Sequence, residues 1–295
     1  SRDDGHFIYL ATVELGGSVV EFLRVIGPLS DPRSFGGDPD QAFHLVIPSL
    51  PGHGFSGPIR QPGWTDGKVA DALVELMRRL GYDRYGVQGG DIGAFIAPLM
   101  GRRDPERIVG IHVNALVTFP SHDPAEMADL TEGEKKRMAL FKQWNDDLMG
   151  YMHIQGTRPQ TLAYGLADSP VGQLAWIVEK FKDWTDPAAE PPEDAVDKDQ
   201  LLTNVTVYWL TNTARSSANA YYERFHDPSM WAPKQRSAVP MGVAVFPTDV
   251  SIRRFAEKTE TIVHWSEFER GGHFAAMEAP DLLVGDIRKF FAPLR

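Results

Sequence analysis

Gly89-Gly90-Asp91-Ile92-Gly93 places a carboxylate at the centre of a small-residue turn, directly after the short run Tyr85-Gly86-Val87-Gln88. A strand that turns sharply into a helix holds its central residue in a strained backbone state, and glycine neighbours make room for it. Such a turn lifts one side chain to the top of a sheet. A carboxylate held there attacks carbon directly and forms an alkyl ester. The same residues also suit a plainer role, with Asp91 capping the helix that follows. Two further residues bear on the choice. Asp249 comes after the apolar run Val243-Ala244-Val245-Phe246, and His273 lies in Gly271-Gly272-His273-Phe274. Residues just beyond strand C-termini line the crevice where α/β sheets do chemistry. By itself a histidine after two glycines is an ordinary loop residue. The chain order nucleophile, acid, histidine makes it a candidate base.

These three residues need strands to carry them. The compact apolar run 43–47 reads as a buried parallel strand, as do 85–88 and 108–113. Residues 19–26 start a short helix, with Ser18 as its cap. In 66–80, Val69, Ala70, Leu73, Leu76, Met77 and Leu80 share one helical face, and Gly81 ends it. Residues 92–100 form the next helix. Strand-helix alternation of this kind is the doubly wound α/β pattern. Between about 124 and 234 the strand-like runs disappear, and long helical stretches rich in Trp, Tyr and Met replace them. Residues 188–199 form the most loop-like segment there. Strands return at 239–246 and 261–264, followed by an amphipathic helix at 280–291. The division expected is an α/β core, 1–123 and 236–295, interrupted by a helical cap at 124–235.

The bulk numbers allow such a molecule. A chain of 295 residues, 42% apolar and 24% charged, buries a substantial core. The net charge of -10, with no basic cluster, argues against nucleic acid or an anionic membrane as partner. With Cys 0 there is no disulfide, thiolate nucleophile or cysteine-bound metal, and the compartment expected is the cytoplasm. No apolar run approaches the roughly 20 residues of a membrane span. The first residues do not read as a signal peptide.

Longer blocks carry a resemblance. They are Gly-Ser-Val-Val-Glu-Phe-Leu at 17–23, Ile-Pro-Ser-Leu-Pro-Gly-His-Gly-Phe-Ser at 47–56 and the Gly-Gly-Asp turn. Tyr-Met-His-Ile-Gln at 151–155, Asp-Ser-Pro-Val-Gly at 168–172, Leu-Leu-Thr-Asn-Val at 201–205 and Arg-Gly-Gly-His-Phe-Ala-Ala at 270–276 extend it. Together they resemble the microsomal-type epoxide hydrolases, from about Gly17 to the C-terminus. The resemblance implies an α/β-hydrolase fold with an inserted helical cap. It implies Asp91 as nucleophile, His273 as base for the hydrolytic water and Asp249 as the carboxylate orienting His273. Tyr151 looks like one ring-opening tyrosine, and Tyr222 like the other, with its neighbour Tyr221 as the alternative. A phenol of pKa about 10 suits that task, since it donates to a developing alkoxide without being ionised at neutral pH. The oxyanion hole would use the backbone N–H groups of Ile92 and Leu15. The family usually has His-Gly-x-Pro at that second position, where this chain has Val13-Glu14-Leu15-Gly16. It also has a long segment before the core, so a truncated or partial N-terminus is expected here. No cofactor and no metal is implied. The partners implied are a small-molecule epoxide and water; a homodimer is compatible with the sequence. The cap's tryptophans and methionines suit a bulky apolar or aromatic epoxide. Similar actinobacterial proteins act on xenobiotic-like epoxides (detoxification) or on natural-product intermediates such as enediyne precursors (antibiotic biosynthesis).

Three other readings compete. Gly52-His53-Gly54-Phe55-Ser56-Gly57 matches G-x-G-x-x-G, but Pro58 and Gln61-Pro62-Gly63 stop the helix that a dinucleotide turn must open. The segment instead reads as a tight loop lining a pocket. A haloalkane dehalogenase would share the Asp nucleophile and His base, but it typically carries Trp where Ile92 stands. A binding protein on the same fold would gain nothing from keeping the whole set of reactive residues.

Overall fold

In a computed structural model of the chain, residues 7–12, 17–120 and 125–295 are described here, the first group as backbone only. The elements before the helical region are β1 (Phe7–Thr12), α1 (Leu23–Ser30), β2 (His44–Val46), α2 (Asp66–Arg79), β3 (Tyr85–Gly90), α3 (Ile92–Arg103) and β4 (Ile108–Asn114). There follow α4 (Ala125–Ala128), α5 (Glu132–Gln143), α6 (Gly150–Thr157), α7 (Pro159–Asp168), α8 (Pro170–Trp184), α9 (Lys198–Thr211) and α10 (Ala214–Phe225). The chain closes with β5 (Pro240–Val245), α11 (Arg253–Ala256), β6 (Thr261–Glu267), α12 (Ala275–Glu278) and α13 (Pro280–Phe291).

All six strands are parallel, in the order β2-β1-β3-β4-β5-β6. Burial explains the apolar content of the central strands: every residue of β3 is buried, and β4 and β5 nearly so, while β2 at the edge is exposed or half-buried. Parallel strands need covering on both faces. Helix α13 packs Phe290 and Phe291 into one apolar layer with Phe22, Val25 and Leu29. Helices α2 and α3 cover the other face through Leu73, Met77, Ile96 and Met100. The helix expected at 19–26 divides into a 3-10 turn, Val19–Phe22, followed by α1, with Ser18 accepting from Val20 N. The expected loop at 188–199 holds one short 3-10 turn, Pro192–Asp194, before Asp197 caps α9. Between β4 and β5 every described element is helical. Among the described residues no helix is long and apolar enough to cross a membrane, and no three metal-binding side chains cluster.

Behind the sheet lies a polar cluster unrelated to the three candidate residues. Asp286 Oδ2 lies 2.9 Å from His112 Nε2; Asp286 Oδ1 lies 2.8 Å from His264 Nε2 and accepts from Ser266 Oγ at 2.6 Å. Burial opposes ionisation of Asp286. The His112 hydrogen bond and charge, with Ser266 and His264, outweigh it and hold the carboxyl down at about 2. A depressed folded pKa contributes stability above the ordinary carboxyl range, and that stability is lost as pH falls towards 2. Asp286→Asn should therefore cost about 3 kcal/mol at pH 7, the scale of hydrogen bonds to a buried charged group. Urea unfolding of both proteins at pH 7 and pH 3 measures this, with the difference narrowing at the lower pH.

Candidate active site

The turn after β3 has the strain its sequence implies. Asp91 adopts φ 51°, a left-handed conformation rare for a residue with a side chain. A Cβ at Gly89 would lie 2.3 Å from the Gly93 carbonyl oxygen, and one at Gly90 would lie 2.9 Å from Asn114 Nδ2. The Gly89 contact is backbone on backbone, so only glycine fits there and β3 and α3 approach closely enough to eject the Asp91 side chain, while Gly90 leaves room for the Asn114 side chain of β4. Ile92 opens α3, and its N–H belongs to the helix's first turn, where no intrahelical acceptor exists. Leu15, the second oxyanion donor expected, lies outside the described residues.

His273 reaches Asp91 from the loop between β6 and α12, with Nε2 2.8 Å from Asp91 Oδ2. The loop bearing it is fastened to the end of α8. Its own N–H donates to the Trp184 carbonyl at 2.9 Å, and Gly271 N donates to Asp186 Oδ2 at 2.6 Å. Glu278 closes the clamp, accepting from Asp186 N at 2.6 Å and from Phe274 N at 2.9 Å. Burial pushes the Glu278 carboxyl up to about 7, against those two N–H groups. A side chain at Gly272 would meet the Trp184 carbonyl oxygen at 2.6 Å, which explains the second glycine.

Asp249 sits where the loop after β5 predicts, but its hydrogen bonds are to the main chain. Its Oδ2 accepts from Phe246 N at 2.8 Å and from Ala115 N at 3.3 Å. Burial raises its carboxyl to about 6; the Phe246 N–H and the His273 charge oppose the rise. Asp249 and His273 therefore interact electrostatically in this structure, without a hydrogen bond between them.

The tyrosines divide. Tyr151 on α6 is buried, its ring edge-on to Trp184 at 5.3 Å and to Tyr221 at 5.9 Å. Trp184 in turn lies 5.1 Å from the His273 ring, so an unbroken aromatic wall joins the histidine to both tyrosines. Tyr221 is 2% exposed, whereas Tyr222 is 37% exposed and stacks on His226. Tyr221, the alternative, and not Tyr222 packs against Tyr151, for a reason of helix geometry. Successive residues point about 100° apart, and the buried face of α10 runs through Ala214, Ser217, Ala218, Tyr221 and Arg224. Arg224 carries its charge to both Tyr221 and Asp91, while its guanidinium is ion-paired with Asp66 at 2.8 Å.

Lys180, a residue that sequence reasoning passed over, is 3% exposed and holds Nζ 4.5 Å above the Tyr151 ring. Trp176 and Trp184 flank it at 5.7 and 5.6 Å, and Glu179 pairs with it from the solvent side. A signal existed: Trp176, Lys180 and Trp184 recur every four residues, on one face of α8. Chemically the site offers a carboxylate, an adjacent imidazole and two buried phenols beside a cation.

A family model described as alpha/beta hydrolase fold matches residues 15–151. A Stigmatella aurantiaca protein named "Putative epoxide hydrolase" is 43% identical over 298 residues, covering 100% of this chain and 66% of its own length. Epoxide hydrolase 1 of Sus scrofa is 36% identical across 94% of this chain and 66% of its own. The chain thus spans about two thirds of those relatives. Among solved structures, juvenile hormone epoxide hydrolase from the silkworm Bombyx mori superposes with TM-score 0.86 at 31% identity, covering 100% of this chain and 74% of that one.

Proposed function

Because the chain belongs to the epoxide hydrolases of the α/β-hydrolase superfamily, we propose that it converts an epoxide to a vicinal diol through an ester on Asp91. The observation that carries this reading is a strained-turn carboxylate 2.8 Å from His273, joined through Trp184 to a buried pair of tyrosines. In the first step an Asp91 oxygen attacks a ring carbon, the C–O bond opposite breaks, and the departing oxygen takes a proton from Tyr151 or Tyr221. Esterification removes the carboxylate charge that His273 faces. His273 then accepts a proton from a water molecule, whose oxygen adds to the ester carbonyl. The tetrahedral oxyanion is met by the Ile92 N–H. Collapse breaks the bond between the acyl carbon and the diol oxygen. The departing alkoxide takes the proton of the added hydroxyl, which restores the Asp91 carboxylate, and the proton held by His273 returns through solvent to the phenolate. The Lys180 ammonium over the Tyr151 ring favours the phenolate left by proton donation. No step calls for a metal or organic cofactor.

The helices between β4 and β5 act as the cap of this scheme, residues 124–235 over the core 1–123 and 236–295. Their aromatic wall suits a bulky apolar or aromatic epoxide. A panel of styrene oxide, a larger bicyclic epoxide, a small aliphatic epoxide and a haloalkane tests the reading. Diol from the first two is expected. Preference for the small aliphatic epoxide would overturn the substrate class, and halide release without diol would replace the activity with dehalogenation.

Asp249 carries a pH prediction. Its carboxyl titrates near 6 when folded, so the negative charge supporting His273 is lost as pH falls through that value. Ester hydrolysis should decline there. The stability sign is opposite: a folded pKa raised above the ordinary value means that the charged form is disfavoured by folding, and stability rises as pH falls from 6 towards 4. Asp249→Asn should leave the melting temperature unchanged or higher at pH 7 while slowing ester hydrolysis. Calorimetry and single-turnover kinetics on one preparation check both halves.

A further inference from the structure

The C-terminal end of α8 fixes both loops that carry the acid–base pair. The Trp184 carbonyl oxygen accepts from His273 N at 2.9 Å and from Thr248 Oγ1 at 3.3 Å, so one atom holds the loop after β6 and the loop after β5. One turn earlier in α8, Phe181 stacks on Phe274, with ring centroids 3.9 Å apart and planes 10° from parallel.

Asp186, two residues beyond Trp184, brackets the histidine. Before His273 in the chain, Gly271 N donates to Asp186 Oδ2 at 2.6 Å. After it, the Asp186 N–H donates to Glu278 Oε2 at 2.6 Å, and Glu278 Oε1 accepts at 2.9 Å from the N–H of Phe274, the residue next to His273. Asp186 Oδ1 is engaged as well, by Ala188 N at 2.9 Å, so both of its carboxylate oxygens are committed to main-chain donors. Hydrogen bonds from backbone N–H groups to an ionised carboxylate are among the strong ones. Here they restrain main chain on both sides of His273, whose freedom would otherwise pass directly to the ring. A general base must stand within hydrogen-bond reach of the proton it takes. A misplacement of about 1 Å costs about 10²-fold in rate. Neither Asp186 nor Glu278 takes part in the proton transfers of the proposed reaction.

We propose that Asp186 and Glu278 are positioning residues for His273: through them the end of α8 sets the register of the base, and the hydrolytic half of the reaction depends on that register. The inference rests on the epoxide reading for the two steps it separates, and on the hydrogen bonds alone for the bracket. Asp186→Ala removes the acceptor of Gly271 N and keeps the main-chain donor to Glu278. In single turnovers of styrene oxide it should slow ester hydrolysis by up to about 10²-fold and leave ester formation near the native rate. Poor seating of the helices alone would slow both steps, because Tyr151 and Tyr221 ride on α6 and α10. Asp186→Asn keeps an acceptor oxygen without the charge and should recover most of the lost rate. Melting curves verify folding, and Glu278→Ala, which cuts the bracket on its other side, serves with the same expected result where Asp186→Ala does not fold. Native-rate hydrolysis in the alanine variant, equal slowing of both steps, or an asparagine variant as slow as the alanine one overturns the positioning role. The imidazole ¹⁵N signals of His273, assigned by their loss in His273→Gln, read the bracket without turnover. They should shift and broaden in Asp186→Ala and stay near native in Asp186→Asn. If the native protein opens no epoxide, the epoxide reading fails; unmoved His273 signals in Asp186→Ala overturn the bracket separately.

Discussion

Replacing His273 with glutamine should yield a protein that opens one epoxide and stops. Asp91 remains able to attack, but nothing is left to take the proton from the hydrolytic water. The ester should accumulate and be seen by mass spectrometry as the intact protein plus the full mass of the epoxide. Proteolysis should place the addition on the peptide containing Asp91. Steady-state turnover should fall by about 10⁴-fold or more, the scale seen when one member of a cooperating catalytic set is removed. Asp91→Ala should be equally inactive but show no added mass. The two variants thus separate the two steps. A single turnover of the native protein in ¹⁸O-labelled water gives an independent check: the first diol should carry unlabelled oxygen at the position supplied by Asp91. Full label in that diol would exclude the ester, and with it the assignment of Asp91 as nucleophile.

The core was legible because it is built from local signals. The run 108–113 is apolar enough to announce the buried strand β4, and the glycines around Asp91 announce a close strand-helix approach. The run 43–47, expected as a buried strand, gives only β2, a parallel strand at the sheet edge whose residues are exposed or half-buried, because an edge strand has a neighbour on one side only. The arrangement within the helical region was less accessible. Tyr221 and Tyr222 are adjacent, and block similarity does not distinguish them; the distinction lies in the phase of α10, where Ala214, Ser217 and Ala218 already mark the face that Tyr221 shares. Lys180 was overlooked for a related reason. A lysine in a helix is ordinarily solvated, and its burial depends on two tryptophans one turn to either side folding over it. Asp249 shows a third limit. Chain order places it near His273, but the backbone donors of Phe246 and Ala115, which fix its orientation, arise from the positive φ of Ala115 and the turn after β5. His53 reads as part of a tight pocket-lining loop. Its unpaired nitrogen is a tertiary fact, since it depends on which ring atom meets the Pro51 carbonyl.

Removing both phenols should abolish ring opening far more completely than removing either. Tyr151 and Tyr221 lie with ring centroids 5.9 Å apart, so one departing oxygen can be served by both, or by the survivor of a single substitution. Tyr151→Phe and Tyr221→Phe should each leave measurable turnover. The double variant should lose the whole general-acid contribution, about 10²–10⁴-fold. The deficit belongs in the alkylation step: burst kinetics should show slow ester formation, with hydrolysis of whatever ester forms little altered. Phe retains the rings and their packing against Trp184, so a collapse of the helical region would not account for the loss, and melting temperature checks this. Tyr222→Phe is the control. Its ring stacks on His226 at the surface, and its substitution should leave alkylation near the native rate. A double variant at full activity would move proton donation away from this pair. A large loss in Tyr222→Phe, with Tyr221→Phe unaffected, would show that α10 turns its other face to the substrate during catalysis.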